Sequence, residues 1–241
     1  MENNEATFAI YVPSYKRSDR ILTYNLFEKC TYLVRESEKQ AYLKAGISEE
    51  DLWAVEDSLI DSGSKAYFYI INNAPEDVFA IADDDIEDMR YMLREVENIN
   101  KDVEIITSEM YRIAQMLLDL DIGFGYVGVN AIPYNYDREF CWKQIPGAIK
   151  WFNRSKFIAK RDEKVTENFD IDLVLQELAV NRITLSPKYL YDKGIIDKNA
   201  GGNSERKRND QLASINNMKA KWGKYFDFNF SKNKPVINVK R

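Results

Sequence analysis

Three consecutive aspartates, Asp83-Asp84-Asp85, follow directly on the apolar run Val78-Phe79-Ala80-Ile81-Ala82. Such a run reads as a buried strand, and an Asp-x-Asp at its carboxyl end places two hard oxygen ligands on one side of a turn. Mg2+ and Mn2+ prefer such ligands, together with phosphate oxygens and water. Asp83 and Asp85 are the expected metal ligands, and Asp84 is expected to point elsewhere or to touch a bound donor. A metal held there bridges a diphosphate and offsets the charge of a departing leaving group. A second acidic group, Glu167-Asn168-Phe169-Asp170-Ile171-Asp172, opens a helical pattern. A carboxylate in that position either complements the helix N-terminus or accepts a proton. Asp170 is the first choice as base, ahead of Glu167 and Asp172.

The chain contains no histidine, which excludes Ser-His-Asp and Cys-His nucleophilic machinery and His-ligated zinc. Acid-base chemistry falls to carboxylates, Lys, Tyr or the substrate. The two cysteines, Cys30 and Cys141, lie far apart and lack metal-ligand spacing, so neither a disulfide framework nor a zinc site is expected. With 45% hydrophobic and 30% charged residues, the 241-residue chain has the composition of a folded globular protein and not of a disordered one. No apolar stretch approaches the roughly 18 residues that cross a bilayer, so no membrane contact and a cytoplasmic location are expected.

The elements that must hold these carboxylates alternate between strand and helix. Thr7 to Val12 is a β-rich run closed by Pro13-Ser14, and Ser18-Asp19-Arg20 opens a stretch in which Ile21, Leu22 and Leu26 have helical spacing. A strand over Thr31 to Val34, a helix over Glu36 to Ala45 stopped by Gly46, and a strand over Leu52 to Val55 follow. A helix over Lys65 to Asn73 leads into the strand that carries the triplet. Beyond it the pattern predicts helices over 87–98 and 109–120, a glycine-punctuated run from Gly123 to Val129, a strand over 148–157 and a helix over 171–181. Strands alternating with helices imply a mainly parallel sheet that binds ligands beyond its strands' carboxyl ends, where the triplet lies.

Ile10-Tyr11-Val12-Pro13-Ser14-Tyr15-Lys16-Arg17 with Thr23, followed by Ala82-Asp83-Asp84-Asp85-Ile86, resembles the nucleotide-sugar glycosyltransferases of the GT-A fold. More narrowly, it resembles the phage-encoded family that glycosylates hydroxymethylated bases in DNA, such as hydroxymethylcytosine. The acidic segment at 167–172 and the Gly201-Gly202 loop fit the same order of parts, so the resemblance spans about residues 7–211. It implies an α/β fold with a mixed, mainly parallel sheet flanked by helices and a basic carboxyl-terminal extension. It also implies dependence on Mn2+ or Mg2+, a UDP-linked sugar as donor, DNA as acceptor and the host cytoplasm as location. Position by position, Pro13, Ser14 and Arg17 surround the donor, Glu36 meets its base or ribose, and Lys65 and Asn72 face it. Asp83 and Asp84 also fall within the donor site. The expected organisation is a catalytic domain over 1–196, with a donor half at 7–100 and an acceptor half at 101–196, then a lid loop and extension over 197–241.

Gly201-Gly202 beside Arg206-Lys207-Arg208 is a hinge next to cations, suited to closing over a diphosphate. From Lys198 to Arg241 there are eleven Lys and Arg against three acidic residues, a net of +8, while the whole chain carries −5. There Trp222, Tyr225, Phe226, Phe228 and Phe230 interleave with Lys219, Lys221, Lys224, Lys232 and Lys234. Cations that track phosphates and rings that stack on bases suit a nucleic acid, although rings at that density equally fill a core. Other readings stay open: a glycan, lipid or protein acceptor on the same fold, or a nucleotidyltransferase with the same metal logic. The acidic body opposes a non-catalytic nucleic-acid-binding protein.

Overall fold

The computed structural model describes residues 6–92, 96–98, 102–129, 136–194 and 208–240. Its centre is a sheet built from β1 (Phe8–Pro13), β2 (Thr31–Arg35), β3 (Leu52–Val55), β4 (Val78–Ala82), β7 (Phe124–Gly128) and β9 (Pro146–Asn153), in the order β3-β2-β1-β4-β9-β7. The first four strands are parallel, and β9 runs antiparallel to β4 and β7. Strand order reverses beside β1, so the loops after β1 and β4 diverge and leave a crevice between them. The expected mixed, mainly parallel α/β sheet is present.

Period-2 alternation assigns the two faces of the sheet. Ile10, Val12, Val78, Ala80, Ala82 and Trp151 point to one side, where they pack with Tyr42 of α1 (Lys39–Lys44) and Ile106, Met110 and Ile113 of α3 (Val103–Asp119). Tyr11, Phe79, Ile81, Phe124, Tyr126 and Phe152 point to the other, against α2 (Gly63–Asn73) and α4 (Phe169–Val180). Both faces are therefore covered, as a parallel sheet requires. Ser62 caps α2 by accepting from Lys65 N, Asp102 caps α3 by accepting from Ile105 N, and Gly46 leaves α1 at φ +104°, the expected stop.

Two expected helices are replaced. Residues 86–92 and 96–98 form strands β5 (Ile86–Met92) and β6 (Val96–Asn98), which join β11 (Leu190–Gly194) in a small antiparallel sheet. Pairing with a strand about a hundred residues away overrides the local helical spacing. The stretch opened by Ser18 supplies a single 3-10 turn, Thr23–Leu26, whose Thr23 is spent on the turn of the triplet. The helix expected from Glu36 begins as a 3-10 turn and becomes α-helical at Lys39. A two-stranded sheet pairs β8 (Phe140–Cys141) with β10 (Ser186–Pro187).

The described part of the basic segment, residues 208–240, folds as α5 (Arg208–Trp222) and a hairpin of β12 (Phe226–Asn229) and β13 (Lys234–Ile237). Ile215, Met218, Phe226 and Phe228 close a third core against Val165 and the α4 residues Ile171 and Leu175. Among the described residues, no helix is long and apolar enough to cross a membrane.

Candidate functional site

The carboxyl ends of β1 and β4 bring Ser14 and Arg17 onto the triplet. Ser14 Oγ donates to Asp84 Oδ2 at 2.5 Å and lies 2.7 Å from the Tyr42 hydroxyl. Arg17 pairs with Asp84 and, at 3.1 Å, with Asp85 Oδ2. The turn itself is stapled by Thr23, which is fully buried: its hydroxyl donates to Asp83 O at 2.7 Å and accepts from Ile86 N at 3.1 Å. Pro13 ends β1 beside Leu33 of β2. The loop after β1 and the loop after β4 are thus one bonded unit.

The three aspartates divide the work. Asp84 points into the protein, 6% exposed, so it braces the loops and does not face the crevice. Burial raises its pKa, against the pull of Arg17 and Ser14. Asp83 accepts from the buried Tyr67 hydroxyl, and its N–H donates to Ala148 O at 3.0 Å. Burial, together with Asp83 and Asp84 alongside, pushes Asp85 up to about 6 despite Arg17. Gly194 gives Asp85 its room, since a Cβ there would sit 3.3 Å from Asp85 Oδ1.

The first turn of α4 brings in Asp170. It lies within electrostatic reach of Lys150 and Asp83, and burial raises its pKa. The backbone reaches α4 through Asn168 at φ +57°, whose side chain makes no cap bond. Asp170 is therefore not the N-cap, though its Oδ1 does accept from Ile171 N. Asp172 does not join the crevice. It is 2% exposed and accepts from Trp222 Nε1 at 2.7 Å, Gln176 Nε2 at 2.8 Å and Lys221 Nζ at 2.9 Å, so it ties α4 to α5. Residues two apart on a helix face different ways. Glu167 is likewise anchored toward α5, its N–H donating to Ser214 Oγ and its carbonyl accepting from that hydroxyl.

Other expected donor contacts fall outside this cluster. Asn72 is exposed near the carboxyl end of α2, which runs antiparallel to β4, so it sits at the opposite end of the sheet from the triplet. Lys65 pairs with Asp61 at 2.5 Å at the start of α2. Glu36 is exposed just beyond β2. Gly201, Gly202 and Arg206 lie outside the described residues.

Three residues of the cluster escaped the sequence pattern. Tyr67 is the α2 residue that reaches the triplet, five positions before Asn72. Lys150, 3% exposed in the middle of β9, donates to Gly147 O at 2.7 Å and to the Tyr67 hydroxyl at 3.3 Å. Asp192 of β11 accepts from Ala148 N at 2.6 Å, and burial pushes it up to about 6. A visible signal existed in Ala148-Ile149-Lys150-Trp151-Phe152, where one charge interrupts an apolar run. A buried lysine is rare without a partner or a task.

The donor set suits a divalent cation. Asp83 and Asp85 supply hard oxygens in a region of excess negative charge. Among the described residues, no three His, Cys, Asp or Glu side chains are arranged to hold a metal by themselves. The buried Arg17 Nε has no hydrogen-bond partner within the protein, a donor that a phosphate oxygen would satisfy.

No protein-family model matches the chain, and no curated protein sequence matches it. Solved structures do. Glucosyl-3-phosphoglycerate synthase from Mycobacterium tuberculosis, in complex with Mg2+ and UDP, aligns with a TM-score of 0.53 at 8% identity, over 97% of this chain and 87% of that one. The same enzyme with Mn2+, UDP-glucose and phosphoglyceric acid gives 0.53 at 7% identity, over 97% and 86%. The chain has the GT-A fold. A mannosyltransferase from Pyrobaculum calidifontis in complex with GDP-mannose and Mn2+ also shares it, with a TM-score of 0.50 at 12% identity over 77% of this chain and 58% of that one. Likeness at such identities establishes the GT-A arrangement of elements, and the chemistry must be argued from the residues.

Proposed function

We propose that this chain is a metal-dependent glycosyltransferase that takes a sugar from a UDP-linked donor and places it on the hydroxyl of a hydroxylated base in DNA. The observation that carries the donor half is the Asp83/Asp85 pair at the divergent ends of β1 and β4, with Arg17 beside it. The similar solved structures hold UDP, UDP-glucose or GDP-mannose with Mg2+ or Mn2+. Asp83 and Asp85 would hold the ion, which when bound offsets the charge that develops on the leaving diphosphate. Ser14 and Arg17 brace the loop over the donor, and the unpartnered Arg17 Nε meets a phosphate oxygen.

Asp170 is the proposed base. With no histidine in the chain, proton removal falls to a carboxylate, and burial raises the pKa of Asp170, which makes it a stronger base. The acceptor hydroxyl gives its proton to Asp170 as its oxygen bonds to the anomeric carbon, and the nucleoside diphosphate departs. A base within a duplex is out of reach of such a crevice, so the acceptor is flipped out or single-stranded.

DNA as acceptor is supported by the sequence resemblance and by the +8 segment, in which Tyr225 and Phe230 are exposed with Lys224 and Lys219 over their rings. A second reading, with a glycan, lipid or protein hydroxyl as acceptor, is favoured by how that segment uses its cations. Lys219 pairs with Asp227, and Lys221 with Asp162 and Asp172. Incubation of the protein and Mn2+ with a panel of nucleotide-sugars and hydroxymethylated DNA, followed by mass spectrometry of the bases, separates the two. A hexose or pentose mass increment on the base is expected. Donor turnover with unmodified DNA bases would move the acceptor to the second reading.

A further inference from the structure

A continuous chain of hydrogen bonds crosses the crevice beneath the triplet. Tyr67 donates its hydroxyl to Asp83 Oδ1. Lys150 Nζ donates to that same hydroxyl at 3.3 Å and to Gly147 O at 2.7 Å. The next residue along, Ala148, accepts from Asp83 N at 3.0 Å and donates its own N–H to Asp192 at 2.6 Å. The side chain and backbone of Asp83 are thus fixed from two directions, and both routes run through the start of β9. Gly147 has no alternative here, because a Cβ would lie 3.0 Å from Asp192 Oδ1 and 2.9 Å from Val127 O.

The sheet would be simpler without this arrangement. Lys150 stands opposite Ile81 of β4 and Tyr126 of β7, two residues of the hydrophobic core on that face, and an apolar side chain of similar length would fill its place at lower desolvation cost. Its aliphatic stem could be kept without the charge. What the ammonium adds is a donor aimed at an oxygen that is already donating to Asp83. A tyrosine hydroxyl has one proton, and Lys150 occupies its acceptor side, so that proton is committed to the aspartate. The Tyr67 ring packs edge-on against Phe169, with centroids 5.1 Å apart, which holds the phenol beside the start of α4.

We infer that Tyr67 and Lys150 are positioning residues that lock the carboxylate of Asp83 in the orientation needed to hold the divalent ion of the donor complex. Partners of this kind behind a metal-binding carboxylate commonly govern affinity by about 10- to 100-fold. The inference rests on reading the crevice as a metal and nucleotide site, and its test keeps the two apart.

The test uses the whole chain with Mn2+ and UDP as probes, bound Mn2+ being read by electron paramagnetic resonance and the fold by thermal melting without ligand. Tyr67→Phe removes one hydroxyl and leaves the buried ring. It is expected to weaken Mn2+ binding in the presence of UDP by about tenfold while the melting temperature stays within a few degrees. Lys150→Met keeps the stem and is expected to weaken Mn2+ to a similar degree. The double variant is expected to be no weaker than the worse single one, because both act through one hydrogen-bond chain. Parent-like Mn2+ binding by Tyr67→Phe overturns the inference, as do losses that multiply in the double variant. If the parent protein binds no Mn2+ with UDP, the donor-site reading itself fails and takes the inference with it.

Discussion

Asp170 and Asp172 stand two residues apart on α4 and lead into regions that treat charge differently. On the crevice side, the carboxylates of Asp83, Asp84, Asp85, Asp170 and Asp192 lie near two cations among the described residues, Arg17 and Lys150. Burial raises the pKa of four of them, which means that their ionised forms are held at a cost to the fold. On the other side, Asp172 meets Lys221 and Trp222, and the exposed Asp227 meets Lys219. Charge there closes contacts between elements. Uncompensated charge marks a candidate ligand site, whereas compensated charge serves the fold, and that distinction can be attacked by substitution.

The largest effect is expected at the triplet. Asp85→Ala should lower donor turnover at least about a hundredfold, several kcal/mol of transition-state stabilisation, with an unchanged or higher melting temperature. Excess EDTA should abolish turnover in the parent. UDP release followed with and without EDTA checks both, and full turnover in EDTA would remove the metal from the scheme.

Next comes the pair that defines the comparison. Asp170→Asn keeps the shape and loses the proton acceptor, so transfer should fall by about 10² or more with the donor KM little changed. Asp172→Asn should leave kcat nearly intact and lower stability by about 2 kcal/mol, because Lys221 and the indole N–H of Trp222 lose a charged acceptor. Kinetics and urea melts on both variants decide the matter. Parent-like transfer by Asp170→Asn would place the base elsewhere, with Asp192 the neighbour to try.

These two carboxylates also show what the sequence can carry. Asp83 to Asp85 were legible because an apolar strand followed by hard ligands is a local pattern, and the strand's place in a parallel sheet says which end faces ligand. Asp170 was separated from Asp172 only by preference, since the direction a helix turns depends on what packs against it. Lys150 and Asp192 are placed by the antiparallel pairing of β9 and β11, and Tyr67 reaches them from α2, a convergence that no local spacing encodes. The same long-range pairing turned the expected helix at 87–98 into β5 and β6. The aromatics of the carboxyl-terminal segment could be read as core or as surface, and they divide: Phe226 and Phe228 are buried, Tyr225 and Phe230 exposed.

A smaller effect distinguishes the crevice by pH. Burial raises Asp192 in the fold to about 6, above the roughly 3.9 of an unfolded aspartate. Between those values the folded state holds the extra proton, so this group adds stability as pH falls from 7.5 to 5 and withdraws it as pH rises through 6. Asp192→Asn lacks that titration. The parent should therefore gain on the variant by about 1 kcal/mol between pH 7.5 and 5. Urea melts of the metal-free proteins at the two pH values measure it, and a constant difference between them would mean that Asp192 is not held ionised at such a cost.

The smallest effect belongs to the solvated lysines and tests the acceptor. Lys224, Lys232 and Lys234 are exposed around the hairpin, whereas Lys221 is committed to Asp162 and Asp172. If the segment follows DNA phosphates, each exposed lysine that neutralises one releases condensed counterion, and log affinity falls with log salt accordingly. Lys232→Gln and Lys234→Gln should each weaken DNA binding a few-fold across sequences and flatten the salt slope by about one, with the KM for the nucleotide-sugar unchanged. Lys221→Gln should leave that slope alone and loosen α5 from α4 instead, because its charge already has partners. Fluorescence anisotropy of labelled DNA between about 50 and 200 mM salt reads the slopes. Equal slopes for all three variants and the parent would make the +8 segment a solvated face. A slope change at Lys221 alone would instead carry the phosphate path along α5, toward the contact that Asp172 makes, and so join the two regions that the other variants hold apart.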